Sequence, residues 1–475
     1  MIYPENFEQK TGFDLIRRML HENCASTLGK GWVERMKFTS EYTRISTLLD
    51  QTEEFRQIII THDNFPLAGF YDPLHIFDRL KIEGTFAESD ELAEIRSSLA
   101  TILEIIHFLK SRKDGDNLRY AALCTLTQNL FVDPSIVKET GRIVDEKGEI
   151  RSGASPKLEA IRRKLAQLET QAFKKIQQIF AQSKKEGWID SNSELALRNG
   201  RQVIPVAAAY KRKIKGFIHD QSTTGQTVFI EPESVFETNN EIRQLELDER
   251  GEIVKILIEF AGFLRPHLPQ LTEAYHFLGN IDFIRSKAKL AIELQATKPR
   301  LHSAPTISWV NSRHPLLYLS HKAQKKKVEP LSIELAAPKT IMVISGPNAG
   351  GKSVCLKTVG LVQYMLQCGL HVPMEDHSDA GIFKDIFIDI GDEQSIENDL
   401  STYSSHLANM RYFLRHCRPE SLFLIDEFGS GTEPRLGGAI AEAILKELSE
   451  KKSTGVITTH YSNLKILAGK DPGII

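Results

Sequence analysis

A short apolar run of strand type, Thr340-Ile341-Met342-Val343-Ile344, delivers directly into Gly346-Pro347-Asn348-Ala349-Gly350-Gly351-Lys352-Ser353, and no other feature limits the fold as tightly. The octet matches G-x-x-x-x-G-K-[ST], which needs a strand before it and a helix after it. Its four fixed positions should arise by chance roughly 0.02 times in a chain this long. In such a loop the glycines let backbone N–H groups turn inward around phosphates, Lys352 reaches the β and γ oxygens, and Ser353 offers its hydroxyl to Mg²⁺. The helix beginning near Ser353 adds the positive end of its dipole. An ATP and Mg²⁺ site in an α/β domain is expected.

Leu422-Phe423-Leu424-Ile425-Asp426-Glu427 supplies the second half of such a site, a buried strand ending in two carboxylates. Asp426 can hold the Mg²⁺ shell, and Glu427 can orient or deprotonate water. Val456-Ile457-Thr458-Thr459-His460 is another apolar strand. A lone histidine is usually structural, but the C-terminal ends of parallel strands are where such folds bind ligands, so His460 is expected to sense a γ-phosphate. Gln394 and Leu400-Ser401-Thr402-Tyr403-Ser404-Ser405-His406 resist placement by chemistry alone, since a Ser-rich stretch opening a helix serves equally as an N-cap.

At 475 residues the chain has about three domains' worth of length, and 41% hydrophobic with 26% charged residues is ordinary for soluble globular protein. No apolar run approaches the ~18 residues of a membrane span and the opening residues lack a signal-peptide pattern, so no membrane partner and a cytoplasmic location are expected. Cys24, Cys124, Cys355, Cys368 and Cys417 are scattered, odd in number and never spaced as CxxC, which argues against a disulfide framework or a zinc site. Sixty basic against 62 acidic residues give a net charge of −2, so any nucleic-acid contact must be local. Candidates are Lys211-Arg212-Lys213 with Lys215, Arg162-Arg163-Lys164, and Lys325-Lys326-Lys327; each, taken singly, reads more readily as a solvated face.

The periodicity predicts a multidomain α plus α/β chain. Residues 1–130 read as a helical core, and Val132 to Gly153 as a hairpin or extended connector. Ser155-Pro156 is a cap followed by N1, opening a long helix over about 155–187 with a stripe at Leu158, Ile161, Leu165, Leu168, Ala172, Ile176 and Ile179. A β-rich insert over 198–232 and a second long helix over about 237–264 follow. Together, 131–298 form an arm that leaves the body, turns and returns, and 299–475 form the α/β domain.

Gly346-Pro347-Asn348-Ala349-Gly350-Gly351-Lys352-Ser353, Ser401-Thr402-Tyr403, Asp426-Glu427 and Thr459-His460 together resemble the MutS family of ATPases, and Arg313-His314-Pro315 looks like the opening of that family's ATPase domain. Within the family, the run His219-Asp220-Gln221-Ser222-Thr223-Thr224-Gly225-Gln226-Thr227-Val228-Phe229-Ile230-Glu231-Pro232 is most similar to the arm of the second bacterial paralogue. The resemblance implies a helical core, a lever arm and an ABC-like ATPase domain that works as a homodimer with two composite sites. It implies nucleotide contacts from Gly346 through Val354, Gln394 in the Q-loop, and Ser401 touching in trans the γ-phosphate held by Lys352 of the other subunit. It further makes Glu427 the general base, gives Ser353 and Asp426 to Mg²⁺, Gly429 to Glu433 to the D-loop and His460 to γ-phosphate sensing.

The resemblance implies ATP-driven clamping on branched DNA, suppressing recombination, or on the ribosomal RNA of collided ribosomes, rescuing them. A mismatch-reading domain ahead of the core is not expected, and Phe86-Ala87-Glu88 and Phe229-Ile230-Glu231 stand in the wrong context to serve as its Phe-x-Glu motif. Pro472-Gly473-Ile474-Ile475 stops where the paralogue's ATPase domain continues, so an incomplete domain is expected and nuclease activity falls to no residue here. Other readings are a mismatch-repair DNA-binding ATPase, a transporter nucleotide subunit and a non-hydrolysing scaffold. The transporter reading lacks its Leu-Ser-Gly-Gly-Gln sequence.

Overall fold

The structure, a computed structural model, describes residues 1–61, 64–346, 351–391, 402–430 and 432–475. The chain forms two compact units, neither contiguous in sequence. Met1–Asp72, Thr101–Phe131 and Glu273–Ile475 make one, and Pro73–Ala100 with Val132–Thr272 make the other.

A parallel sheet organises the first unit, in the order Ile2–Tyr3, Asp385–Asp389, Ser421–Ile425, Thr454–Thr459, Ile341–Ser345. Its three central strands are buried at every position, which requires cover on both faces and explains their nearly continuous apolar sequence. Alternation along Ser421–Ile425 divides two cores. Leu422 and Leu424 face Leu356, Val359 and Val362 of the helix Lys352–Gln367, with Phe7, Phe13 and Ile16 behind. Phe423 and Ile425 face Met410 and Phe413 of Thr402–His416 and Leu445 and Leu448 of Pro434–Glu450. A second sheet runs Leu331–Leu335, Ile307–Ser312, Asp379–Gly381, Arg300–His302.

This arrangement differs from a helical block 1–130 standing apart from an α/β domain 299–475. Ile2–Tyr3 is a strand of the parallel sheet, and Phe7 to Leu49 share the core of the Lys352–Gln367 helix. Sequence distance concealed this, because the pairing partner of Ile2 is Ile386.

In the second unit, Pro156–Lys185 and Glu233–Leu264 run antiparallel, as their ion pairs Arg162–Glu249 and Lys157–Glu252 require. Ser155 caps the first helix by accepting from Leu158 N (3.0 Å) and donates to Glu252 (2.8 Å). The second helix starts at Glu233, immediately after the strand Thr227–Pro232. Between them lies an antiparallel sheet in the order Ala196–Arg198, Arg201–Ala207, Thr227–Pro232, Gly216–Gln221, with Ile204, Val206, Val228 and Ile230 as its core. Val132 to Gly153 is not wholly extended. Asp133 caps a helix Pro134–Ile143 that buries Ile136, Thr140 and Ile143, and only Val144 and Ile150 then pair across a turn at Gly148. Among the described residues no helix is long and apolar enough to cross a membrane.

Candidate nucleotide site

Parallel strands aim their C-terminal ends at one edge, and the motif residues converge there. Ile341–Ser345 and Thr454–Thr459 are neighbours, so Lys352 and His460, 108 residues apart, come within 3.3 Å (Nζ to Nε2). Lys352 is buried and also donates to the Gly346 carbonyl (2.5 Å). An ammonium has only donors, so in this contact His460 Nε2 accepts and the ring proton sits on Nδ1. Gly351, at φ 78°, lets the chain enter the helix Lys352–Gln367, whose first turn exposes Ser353 and Val354.

The adjoining strand Ser421–Ile425 delivers Asp426, half-buried, and Glu427, exposed. Thr458 fixes both: its hydroxyl donates to Asp426 Oδ1 (2.5 Å) and accepts from Glu427 N (2.8 Å). Glu427 has φ 47°, a left-handed conformation uncommon outside glycine. Backbone strain of this kind clusters at ligand sites, and here it turns the Glu427 carboxylate out of the strand. Beyond it, Gly429 at φ 87° packs under Tyr461, whose hydroxyl donates to the Gly429 carbonyl (2.9 Å). Glu433 accepts from Leu436 N (2.9 Å) and caps Pro434–Glu450.

Asp389, Thr458 and Asn409 were given no role from sequence, and His406 was named only as the end of the Ser-rich stretch that chemistry alone did not place. Asp389 ends the strand beside Ser421–Ile425, its carbonyl accepts from Asp426 N (2.8 Å), and its carboxylate meets His406 Nδ1 (2.6 Å) and Asn409 Nδ2 (2.9 Å). The apolar run Asp385–Asp389 ending in a carboxylate was the available signal, the same one that marks Asp426. A small cavity of about 20 Å³, room for roughly one water, lies between Asp389, His406, Asp426, Glu427 and Ile440. Pro347, Asn348, Ala349, Gly350, Gln394 and Ser401 lie outside the described residues.

Among the described residues no three His, Cys, Asp or Glu side chains form a metal cluster. Ser353 and Asp426 are hard oxygen donors too few to enclose a cation, the donor set suited to Mg²⁺ that completes its shell with phosphate oxygens and water. The residues present therefore fit a Mg-nucleotide.

Residues 342–474 match the family described as MutS domain V. The chain is 36% identical over 463 residues to the endonuclease MutS2 of Geobacillus sp. (strain WCH70), covering 98% of this chain and 58% of that protein. It is 36% identical over 462 residues to endonuclease MutS2 of Alkaliphilus oremlandii (97% and 57%) and 34% identical over 464 residues to that of Clostridioides difficile (97% and 57%). The chain thus spans less than three fifths of the length of the relatives it matches.

Proposed function

This chain belongs to the MutS family, on the branch of the MutS2 proteins, and from that premise we propose that its parallel sheet hydrolyses ATP to drive the grip of a dimer on nucleic acid. One observation carries the catalytic part: a buried lysine at the head of a helix beside a histidine at a strand end, with an exposed carboxylate after the next strand. Lys352 meets the β and γ oxygens, His460 reads the γ-phosphate from its neighbouring strand, and Glu427 takes the proton of the attacking water. Ser353 and Asp426 would hold Mg²⁺, which would supply charge neutralisation at the phosphates. Ser401 of one subunit completes the site of the other, so neither site closes in a monomer.

For the grip, Lys211, Arg212, Lys213 and Lys215 are exposed on the β-rich insert, interleaved with exposed Tyr210 and Phe217. Basic side chains among aromatic ones suit a phosphate backbone with unstacked bases, and branched DNA offers both. ATP-dependent cosedimentation with stalled disomes, together with none on four-way junctions, would move the target to the ribosome. For the chemistry, Glu427→Gln retains ATP binding and loses about 10²-fold to 10⁴-fold in turnover. Unchanged turnover would show that Glu427 is not the base.

A further inference from the structure

The strand Asp385–Asp389 lies between Ile2–Tyr3 and the carboxylate-bearing strand Ser421–Ile425. At its end Asp389, 1% exposed, serves two masters. Its backbone carbonyl accepts from Asp426 N, and its carboxylate holds two residues of the helix Thr402–His416, His406 through Nδ1 (2.6 Å) and Asn409 through Nδ2 (2.9 Å). Asn409 Oδ1 in turn accepts from Tyr3 Oη (2.6 Å), whose ring stacks on Tyr412 at 4.0 Å. A carboxylate has only acceptors, so Nδ1 carries the proton, and the imidazole is fixed in tautomer and orientation. His406 then walls the same cavity as Asp426 and Glu427.

We propose that His406 is a positioning residue for ATP hydrolysis, clamped by Asp389 at the end of a hydrogen-bonded chain that begins at Tyr3. The inference rests on the ATPase reading above and deepens it. Lys352 and His460, which face the phosphates, follow the two strands farthest from Asp389 in the sheet, Lys352 at the head of the helix after Ile341–Ser345 and His460 at the end of Thr454–Thr459, so loss of the clamp spares ATP binding. What it disturbs is the first turn of the helix that directly follows Ser401, and its alignment with Asp426 and Glu427. Misplacement on that scale slows the chemical step without weakening the ground-state complex.

Turnover and equilibrium ATP binding of the full chain are measured for wild type, Glu427→Gln, His406→Ala, His406→Asn, Asp389→Asn and the His406→Ala/Asp389→Asn double variant, each with its melting temperature. The Asn side chain sets an amide donor near the place of Nδ1. His406→Ala is expected to lower kcat about tenfold to hundredfold with ATP affinity within about twofold of wild type, and His406→Asn to recover most of the loss. The double variant is expected to be no slower than the slower single variant, since one clamp is broken in each. Unchanged kcat in His406→Ala, kcat and ATP affinity falling together, or additive losses overturns the assignment, provided turnover depends on Glu427. Turnover unchanged in Glu427→Gln removes Glu427 as the base, and the assignment falls with it, whereas no turnover in wild type overturns the ATPase reading itself.

Discussion

Two buried bases and one half-buried one give the first unit a pH dependence that can be read residue by residue. His314 caps the helix Pro315–Ala323 by accepting from Leu317 N at Nδ1 (3.3 Å), and burial, helped by Lys357, pushes its pKa down to about 4. Protonation would turn that acceptor into a donor. His371 donates from Nε2 to the Leu49 carbonyl (3.1 Å), its Nδ1 is buried without a hydrogen bond, and burial takes it down to about 4. Burial likewise takes Lys287 to about 7, and among the described residues the Gly369 carbonyl (3.3 Å) and the Phe283 ring stand against its ammonium. Each folded-state value lies below the ordinary one, so the unfolded chain binds more protons between them, and stability rises with pH through each window. For the histidines the window runs from about 4 to 6.5, and for Lys287 from about 7 to 10.5. Urea midpoints should therefore fall as pH drops from 6.5 toward 4, and less steeply in His314→Asn, which keeps an acceptor at the cap. Lys287→Met should exceed wild type most at pH 7 and below, with the gap closing toward pH 10. A constant gap across that range would remove Lys287 as its cause.

Among the elements, the strand Thr454–Thr459 passes the side chain of Phe423 at Gly455, where a Cβ would lie 2.1 Å from the ring. A methyl group there has no space, because Phe423 is itself locked in the core beneath Met410 and Phe413. Gly455→Ala should lower unfolding free energy by about 1–3 kcal/mol, and Phe423→Leu in the same chain should restore part of it. Urea denaturation of the two single variants and the pair tests this, and additive losses would place the clash elsewhere. The strands around this contact were legible in sequence because a parallel strand covered on both faces reads as an unbroken apolar run. Asp426, Glu427 and His460 were legible for the related reason that they follow such strands at once, and Lys352 because the Gly-rich octet after Ile341–Ser345 fixes its place. The helix Pro134–Ile143 was not, although Asp133-Pro134 is a good start, because Gly and β-branched residues around it favour an extended reading. Asp389, Thr458, His406 and Asn409 were hidden for a different reason. Their roles come from strand order, which sets Tyr3 against Asn409 across 406 residues of sequence.

At the scale of the whole molecule, a net charge near zero leaves the placement of cations to decide where a polyanion binds. The structure sorts the three basic clusters. Arg162 meets Glu249, Lys164 meets Glu241 and Arg163 meets Glu159, so the second long helix and the first neutralise that cluster between them. Lys211, Arg212, Lys213 and Lys215 in the β-rich insert, and Lys325, Lys326 and Lys327 after the helix Pro315–Ala323, are exposed with no ion-pair partner among the described residues. Phosphate contacts release condensed counterions, roughly 0.9 per contact on duplex DNA, so the slope of log affinity against log salt counts them. Replacing the four insert cations by alanine should flatten that slope by roughly 3–4 on branched DNA, while Lys164→Gln leaves it unchanged. Fluorescence anisotropy between about 50 and 200 mM salt provides the comparison. If the slope instead flattens on replacing Lys325, Lys326 and Lys327, the grip belongs to the unit that carries the nucleotide site, and the β-rich insert with its own core must serve some purpose other than holding the nucleic acid.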